Sequence, residues 1–394
     1  MKILISGAGI AGPTLAYWLQ RYGFETTLVE KASSLRTGGY VIDFWGAGFD
    51  IAERMELLPE IINKGYMIRE VRVVDQNGRR VTGFPATAFS RITKGRYVSL
   101  PRGDLAASIF DHIDKTVEVI FGDSISRIEQ TTTSVHVVFE SGNARDFNLV
   151  IGADGLHSRV REIVFGPETK FEKYLGYKVA AFQAAHYQPR DELVYVMYTI
   201  VGQQVGRFAM RDDQTMFLFT FADPQASGPE DVDAQKSLLR KRFQSNGWEC
   251  RQILDALDFG KNFYFDRVSQ ICMDPQNGLW TRGRVTLVGD AAFCVSFLAG
   301  QGAALAMTAA YILAGELHRA RGDYAAAFAE YQRRFGVFVR EKQKVALRFA
   351  GSFAPKSNFS LFVRNQIFRL MAIPWVVDAV AGRGMVDHIE LPEY

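Results

Sequence analysis

Gly7-Ala8-Gly9-Ile10-Ala11-Gly12 stands between a short apolar run, residues 2–6, and a helix-patterned segment, residues 13–22. Glycines at this spacing turn a strand sharply into a helix and let the backbone approach a pyrophosphate. That group then sits on a helix N-terminus, where free amides and the helix dipole favour anions. A second strand, residues 26–30, ends at Glu30, an acid placed to accept hydrogen bonds from an adenosine ribose. The chain therefore opens as a βαβ unit with a dinucleotide fingerprint, against the plainer reading of a glycine-rich structural turn. Glu30 by itself does not distinguish FAD from NAD.

The rest of the pattern is α/β. Residues 69–74 and 79–82 read as a hairpin about Asn77-Gly78, a strong two-residue turn signal. Residues 124–130 and 134–139 form another strand pair, leading into a buried strand at 149–153. Residues 177–185, 193–200, 204–210 and 216–222 alternate like an antiparallel sheet, and after two helices a long strand spans 263–273. A buried strand at 285–288 precedes a helix from 302 to about 321, and the pattern from 324 to about 386 is helical with breaks at Pro355 and Pro374. The expected architecture is a Rossmann-like nucleotide-binding domain in three parts (1–68, 96–172, 279–322). An antiparallel-sheet substrate domain is interleaved with it (69–95 and 173–278), and a C-terminal helical region follows (323–394).

With 394 residues, 48% of them hydrophobic, the chain can bury a large core. A net charge of +3 without a dense Lys/Arg run argues against nucleic acid as a partner. The three cysteines, Cys250, Cys272 and Cys294, have neither metal-ligand spacing nor disulfide-scaffold density, so reduced thiols in a cytoplasmic protein are expected. No signal peptide, bilayer-spanning run or stable membrane association is expected, and the chain should be a monomer or weak dimer. The six histidines show no ligand spacing, so no metal is expected. No GxSxG elbow argues for hydrolysis.

Two further segments decide the cofactor. Leu149-Val150-Ile151-Gly152-Ala153-Asp154-Gly155 is a buried strand ending in Asp-Gly. Val285-Thr286-Leu287-Val288-Gly289-Asp290-Ala291-Ala292 is another, followed by Gly300-Gln301-Gly302 at a helix start. With the N-terminal GxGxxG, this ordered set resembles the flavoprotein aromatic hydroxylases, the family of para-hydroxybenzoate hydroxylase. The resemblance implies FAD. It also implies that Asp290, after Gly289, binds the flavin ribityl chain, and that the helix opening at Gly302-Ala303 points its N-terminus at the ring. Residues 36–43, from Arg36 to Asp43, look like the family loop running along the FAD, and Arg102 of Leu100-Pro101-Arg102-Gly103-Asp104 looks like its FAD-contacting arginine. Ala11, Lys31 and Asp154 complete the expected cofactor set with Gly7, Gly9, Gly12 and Glu30. A solvated Arg36, a turn-forming Asp43 and a helix-capping pair at Arg102 and Asp104 are the plainer readings.

The chain departs from that family in two places. The usual proline before Gly-Gln-Gly is missing from Phe293-Cys294-Val295-Ser296-Phe297-Leu298-Ala299, and the usual asparagine after it is Ala304. A closer likeness is to the tetracycline-inactivating monooxygenases, carried by Ile10 to Leu19, Gly38-Gly39, Tyr311 to Leu317 and Leu391-Pro392-Glu393-Tyr394. In those enzymes a C-terminal helix bridges two domains. Residues 358–373 fit that part or that of a simple core helix.

The resemblance implies a monooxygenase that takes hydride from NADPH or NADH, adds O2 at flavin C4a, and passes the distal oxygen of the hydroperoxide to a flat aromatic or polycyclic substrate, including a tetracycline-like antibiotic. Absence of a second GxGxxG fits transient docking of the reductant. Substrate-facing candidates are Phe182, Phe208, Phe219 and Phe297, with core packing the plainer role for each strand phenylalanine. A reductase or dehydrogenase of the same fold working without O2 insertion, and a flavin-binding sensor, are the competing readings.

Overall fold

The structure, a computed structural model, describes residues 1–35, 38–113, 115–273, 279–381 and 389–394. A six-stranded sheet gathers strands from the first, middle and later parts of the chain. Its strands run in the order Thr281–Arg282, Val285–Leu287, Leu149–Gly152, Lys2–Ser6, Glu25–Glu30 and Glu118–Phe121. All neighbours are parallel except the first pair. Parallel strands are covered on both faces and so read as unbroken apolar runs; Ile3, Leu4, Ile5, Val150 and Ile151 have no exposed surface. The helices Ala11–Arg21 and Gly302–Arg319 belong to the same core, with Leu15, Leu19, Met307 and Leu313 buried in it.

A second sheet of seven strands runs in the order Lys261–Ile271, Glu172–Ala185, Gln214–Ala222, Gln203–Ala209, Val194–Ile200, Glu70–Val74 and Arg80–Pro85. The alternation over 177–222 predicts it, and the hairpin about Asn77-Gly78 joins its edge. One pairing differs from the antiparallel expectation: Glu70–Val74 runs parallel to Val194–Ile200, Glu70 opposite Val194. The two strands lie far apart in the chain, so no tight hairpin forces them antiparallel.

Side chains alternate between the two faces of this sheet. One face, carrying Ala180, Phe182, Phe217, Phe219 and Phe221, packs with Leu239, Phe243, Ile253 and Leu254 of the helices Val232–Phe243 and Cys250–Ala256. The other face turns toward the nucleotide-binding half. There the Gln183 side-chain amide donates to the Gly39 carbonyl at 2.9 Å, and the Val41 amide donates to the Met216 sulfur at 3.0 Å.

A helix of 30 residues, Tyr324–Phe353, buries Tyr331, Phe335 and Val339 in the first core. The next helix, Asn358–Leu370, lies against Arg80–Pro85, where Phe368 meets Phe84 edge-on at 5.1 Å. The terminal Leu-Pro-Glu-Tyr returns to the first half. Tyr311 and Arg54 donate to the Pro392 carbonyl at 2.7 and 3.0 Å, and the Tyr394 hydroxyl donates to Glu316 at 2.7 Å.

Candidate active site between the two sheets

The dinucleotide turn leaves its middle open. A Cβ on Gly12 would lie 1.9 Å from the Gly7 carbonyl oxygen, and one on Gly7 would lie 2.6 Å from that of Ala153. Gly7 also holds a φ of +106°, a conformation that favours glycine. A Cβ on Gly9 would meet nothing nearer than the Arg102 guanidinium, 3.7 Å away. Two glycines thus close the turn, and the third borders free space beside a cation. The helix Ala11–Arg21 starts without a side-chain cap, leaving its first amides to an anion. These features fit the pyrophosphate of a dinucleotide.

Glu30 ends its strand with one carboxylate oxygen accepting from the Ala8 amide at 2.8 Å and the other from the Ala32 amide at 2.9 Å. Each oxygen keeps a lone pair for a ribose hydroxyl. Lys31 beside it is exposed. Arg36 lies outside the described residues. Asp154 serves the scaffold: its carboxylate accepts from the Ser158 hydroxyl and the Val160 amide, holding the start of the helix Arg159–Phe165. It borders the turn through its backbone, since a Cβ on Gly7 would also fall 2.8 Å from the Asp154 Cα.

Asp290 opens the short helix Asp290–Phe293 after Gly289, whose φ of +68° suits glycine. Burial pushes the Asp290 carboxyl up, while the Arg102 charge and a hydrogen bond with the Cys294 thiol pull it down. Arg102 begins the helix Arg102–Asp111, its amide tied to the Tyr40 carbonyl at 3.0 Å. Gly300 takes a left-handed φ of +65°, and Gln301 then starts the helix Gly302–Arg319 without a side-chain cap. A Cβ on Gly302 would lie 3.7 Å from an Asp290 oxygen, so this helix N-terminus, with Ala303 in its first turn, stands beside Asp290. The GxGxxG turn, Arg102, Asp290 and Gly300-Gln301-Gly302 therefore meet in one region.

Beyond them is an aromatic group in which Phe297 is an expected substrate residue, Tyr40 belongs to the expected loop 36–43, and Tyr264 is unforeseen. Tyr40 meets Phe297 edge-on at 4.4 Å, and Tyr264 stacks on Phe297 at 6.1 Å. All three remain partly open. Burial raises the Tyr40 hydroxyl to about 12 and lifts Tyr264 well above its usual range. Asp43 lies on the strand Val41–Trp45, opposite Ser99, whose hydroxyl donates to its carboxylate. Its surface is exposed, and burial by surrounding protein pushes its carboxyl up. The space between its strand and the facing seven-stranded sheet, which the Gln183–Gly39 and Val41–Met216 hydrogen bonds join, is the candidate substrate recess. Tyr195, partly open on the facing sheet, is lifted chiefly by burial and further by the Asp43 charge.

Three substrate expectations are corrected. Phe182 and Phe219 are 1% and 0% exposed and point to the opposite face of the seven-stranded sheet, under its covering helices. Strand parity decides this: Ala181, Gln183 and Leu218, one residue away, face the recess. Phe208 is on the recess side but fully buried, edge-on to Tyr66 at 5.2 Å, and supports the wall. Phe297 lines the recess. The departures from the hydroxylase pattern have local causes. Ser296, within the segment that lacks the usual proline, adopts a φ of +128° closed to proline, its hydroxyl accepting from the Leu298 amide at 3.2 Å. Ala304 lies against Gly48, where a glycine Cβ would be 2.4 Å from the Ala304 Cα, so the helices Ala47–Arg54 and Gly302–Arg319 meet too closely for a larger residue.

With this geometry in place, comparison with known proteins is decisive. Residues 1–326 match the FAD binding domain family. A flavin-dependent monooxygenase of Legionella longbeachae is 34% identical over 370 residues, covering 91% of this chain and 91% of its own.

The chain belongs to the flavin-dependent monooxygenases.

An uncharacterized protein of Mycobacterium tuberculosis is 39% identical over 346 residues, covering 86% of this chain and 91% of its own. Among solved structures, the flavin-dependent monooxygenase superimposes on tetracycline destructase Tet(55) with a TM-score of 0.84 at 32% identity, over 100% of this chain and 98% of the other. Klebsiella pneumoniae HpxO, solved with FAD and uric acid, shares the fold with a TM-score of 0.79 at 24% identity, over 97% of this chain and 96% of the other.

Proposed function

We propose that this monooxygenase uses NAD(P)H and O2 to hydroxylate a flat aromatic or polycyclic small molecule, with tetracycline-like polyketides the first class to test. The observation that carries the reading is the recess walled by Tyr40, Tyr264 and Phe297, with Asp43 and Tyr195 at its side, next to the Asp290 and Gly300-Gln301-Gly302 region. Whole-chain similarity to a tetracycline destructase supports the substrate class.

FAD, when bound, supplies the hydride acceptor and the oxygen-activating ring. The open turn at Gly9 and the uncapped helix start beyond it hold the pyrophosphate. Glu30 accepts from the ribose and Asp290 from the ribityl hydroxyls. The uncapped N-terminus at Gly302 offers amides and a positive dipole end to charge on the flavin. Tyr40, Tyr264 and Phe297 exclude water and orient a planar substrate. Asp43 presents its carboxylate to the recess side, and the Ser99 hydroxyl that donates to it fixes its direction.

The test is NAD(P)H consumption by the flavin-loaded enzyme against a panel of phenols and tetracyclines, with mass spectrometry for a gain of one oxygen. Substrate-stimulated oxidation without oxygen gain moves the reading to a reductase or dehydrogenase of the same fold. Oxidation that no ligand stimulates moves it to a flavin-binding sensor.

A further inference from the structure

The helix Asn358–Leu370 has its polarity reversed. A helix on a protein surface normally buries its apolar stripe and shows its charges to water. Here the one fully buried side chain among the described residues of the helix is an arginine, Arg364. Its guanidinium bonds the Thr199 hydroxyl at 3.1 Å, the Gln204 side-chain oxygen at 3.3 Å and the Asn365 side-chain oxygen at 2.9 Å. Phe359, Phe362, Val363, Ile367 and Leu370 all face outward, exposed by 76, 59, 38, 50 and 49%. At about 100° per residue they fall within an arc of about 140°, a continuous apolar stripe along the helix. Trp375, just past its end, is 71% exposed. Taking about 200 Å² per aromatic side chain, Phe359, Phe362 and Trp375 alone show on the order of 400 Å² of apolar surface, the size at which a patch marks an interaction site.

Charge says what covers it. Residues 340–369 contain seven basic residues (Arg340, Lys342, Lys344, Arg348, Lys356, Arg364 and Arg369) and one acidic residue, Glu341. That segment therefore carries +6 in a chain whose net charge is +3, leaving −3 for the rest. Arg340, Lys344, Lys356 and Arg369 are exposed, as is Glu341, while Arg364 is buried, so these exposed residues carry +3. A second copy would bring this basic flank against itself, which like-charge repulsion opposes. An anionic bilayer matches both features, taking the aromatic stripe below its headgroups and the basic flank at its surface. No helix among the described residues is long and apolar enough to cross a membrane, so such a helix would lie in the interface plane.

We propose that the helix Asn358–Leu370 and its basic flank form a reversible docking surface for anionic phospholipid membranes. This surface is separate from the site between the sheets, so the proposal stands independently of the reaction catalysed.

The experiment is co-sedimentation of the full-length, flavin-loaded protein with vesicles of phosphatidylcholine alone or with about 30% phosphatidylserine. Binding to the anionic vesicles is expected. Phe362→Glu should weaken it on the order of tenfold or more, because a carboxylate would enter the headgroup layer where an aromatic ring belongs. High salt should also weaken it, with flavin content and melting temperature unchanged. Light scattering of the lipid-free protein runs beside it. No sedimentation with anionic vesicles, or equal sedimentation of wild type and Phe362→Glu, overturns the proposal. A dimer that Phe362→Glu separates overturns it in favour of a second copy.

Discussion

Gly9 and Arg102 face each other across the open middle of the dinucleotide turn: a Cβ on Gly9 would stand 3.7 Å from the Arg102 guanidinium and touch nothing else within 4 Å. That gap separates the needs of the cofactor from those of the fold. Gly9→Val should leave the apoprotein melting temperature nearly unchanged while FAD affinity falls by on the order of 100-fold or more, because the branched side chain takes the pyrophosphate's space. Gly12→Ala should do the reverse. Its Cβ meets the Gly7 carbonyl at 1.9 Å, so the apoprotein itself should be destabilised. Fluorescence titration with FAD, paired with apo melts, distinguishes the two effects.

Asp290→Asn tests the ribityl contact. Losing a charge-assisted hydrogen bond costs on the order of 1.5–3 kcal/mol, so FAD affinity should drop about 10- to 100-fold. The pH dependence has a definite sign. The folded apoprotein holds this carboxyl above its unfolded value, so ionising it disfavours the fold. Wild-type apoprotein should therefore lose stability, relative to Asp290→Asn, as pH rises through the carboxylate range, and the variant should melt at or above wild type near neutrality. Unchanged FAD affinity with a lowered apo melting temperature would return Asp290 to the scaffold.

Phe182 and Phe297 should separate core from recess. Phe182→Ala removes a ring from a core it shares with Phe217 at 4.9 Å, at a cost of about 3–5 kcal/mol of stability, with little effect on KM at temperatures where the variant stays folded. Phe297→Ala loses the ring against Tyr40 and should raise KM for a planar substrate severalfold, with a smaller stability loss. Kinetics and chemical denaturation of both variants provide the check. A KM effect confined to Phe182→Ala would contradict the assignment of sheet faces.

These comparisons also show where the sequence was readable. The turn at Gly7 to Gly12, Glu30, Asp290 and Gly300-Gln301-Gly302 occur at fixed offsets from strand ends, because backbone approach and helix termini impose them locally. The seven-stranded sheet was legible from alternation, but not which set of alternating residues faces the recess. Phe182 and Gln183 differ only in parity, which depends on which sheet face the helices Val232–Phe243 and Cys250–Ala256 cover. Tyr264 comes from a strand that carries no motif, so only folding brings it beside Phe297 and Tyr40. The parallel pairing of Glu70 with Val194 was hidden for the same reason. Residues 358–373 showed a helical apolar period; that the stripe points outward and Arg364 inward depends on Thr199 and Gln204 waiting on the sheet.

His157 ties the two halves together and gives a second pH signature. It lies between Asp266 at 3.2 Å and Glu168 at 3.0 Å, and hydrogen bonds to these two carboxylates, Asp266 foremost, raise it to about 10. A base raised on folding stabilises the fold fully below its unfolded value, about 6.5, and that contribution fades as pH climbs toward 10. His157→Gln should thus lower the melting temperature most at pH 6 and hardly at all at pH 10. With the side chain 55% exposed, solvent screening keeps the difference to a few degrees. A gap that stays constant with pH would show that the ion pairs contribute nothing.

The central claim is oxygen insertion by a flavin held between the two sheets. Its most direct measurement is turnover of the flavin-loaded enzyme with NAD(P)H under ¹⁸O₂, using whichever tetracycline or phenol most stimulates NAD(P)H oxidation, and mass analysis of the product. The account predicts one ¹⁸O atom per product molecule and the loss of that label in Gly9→Val. A product formed equally well without O2, or one carrying no label, would contradict it.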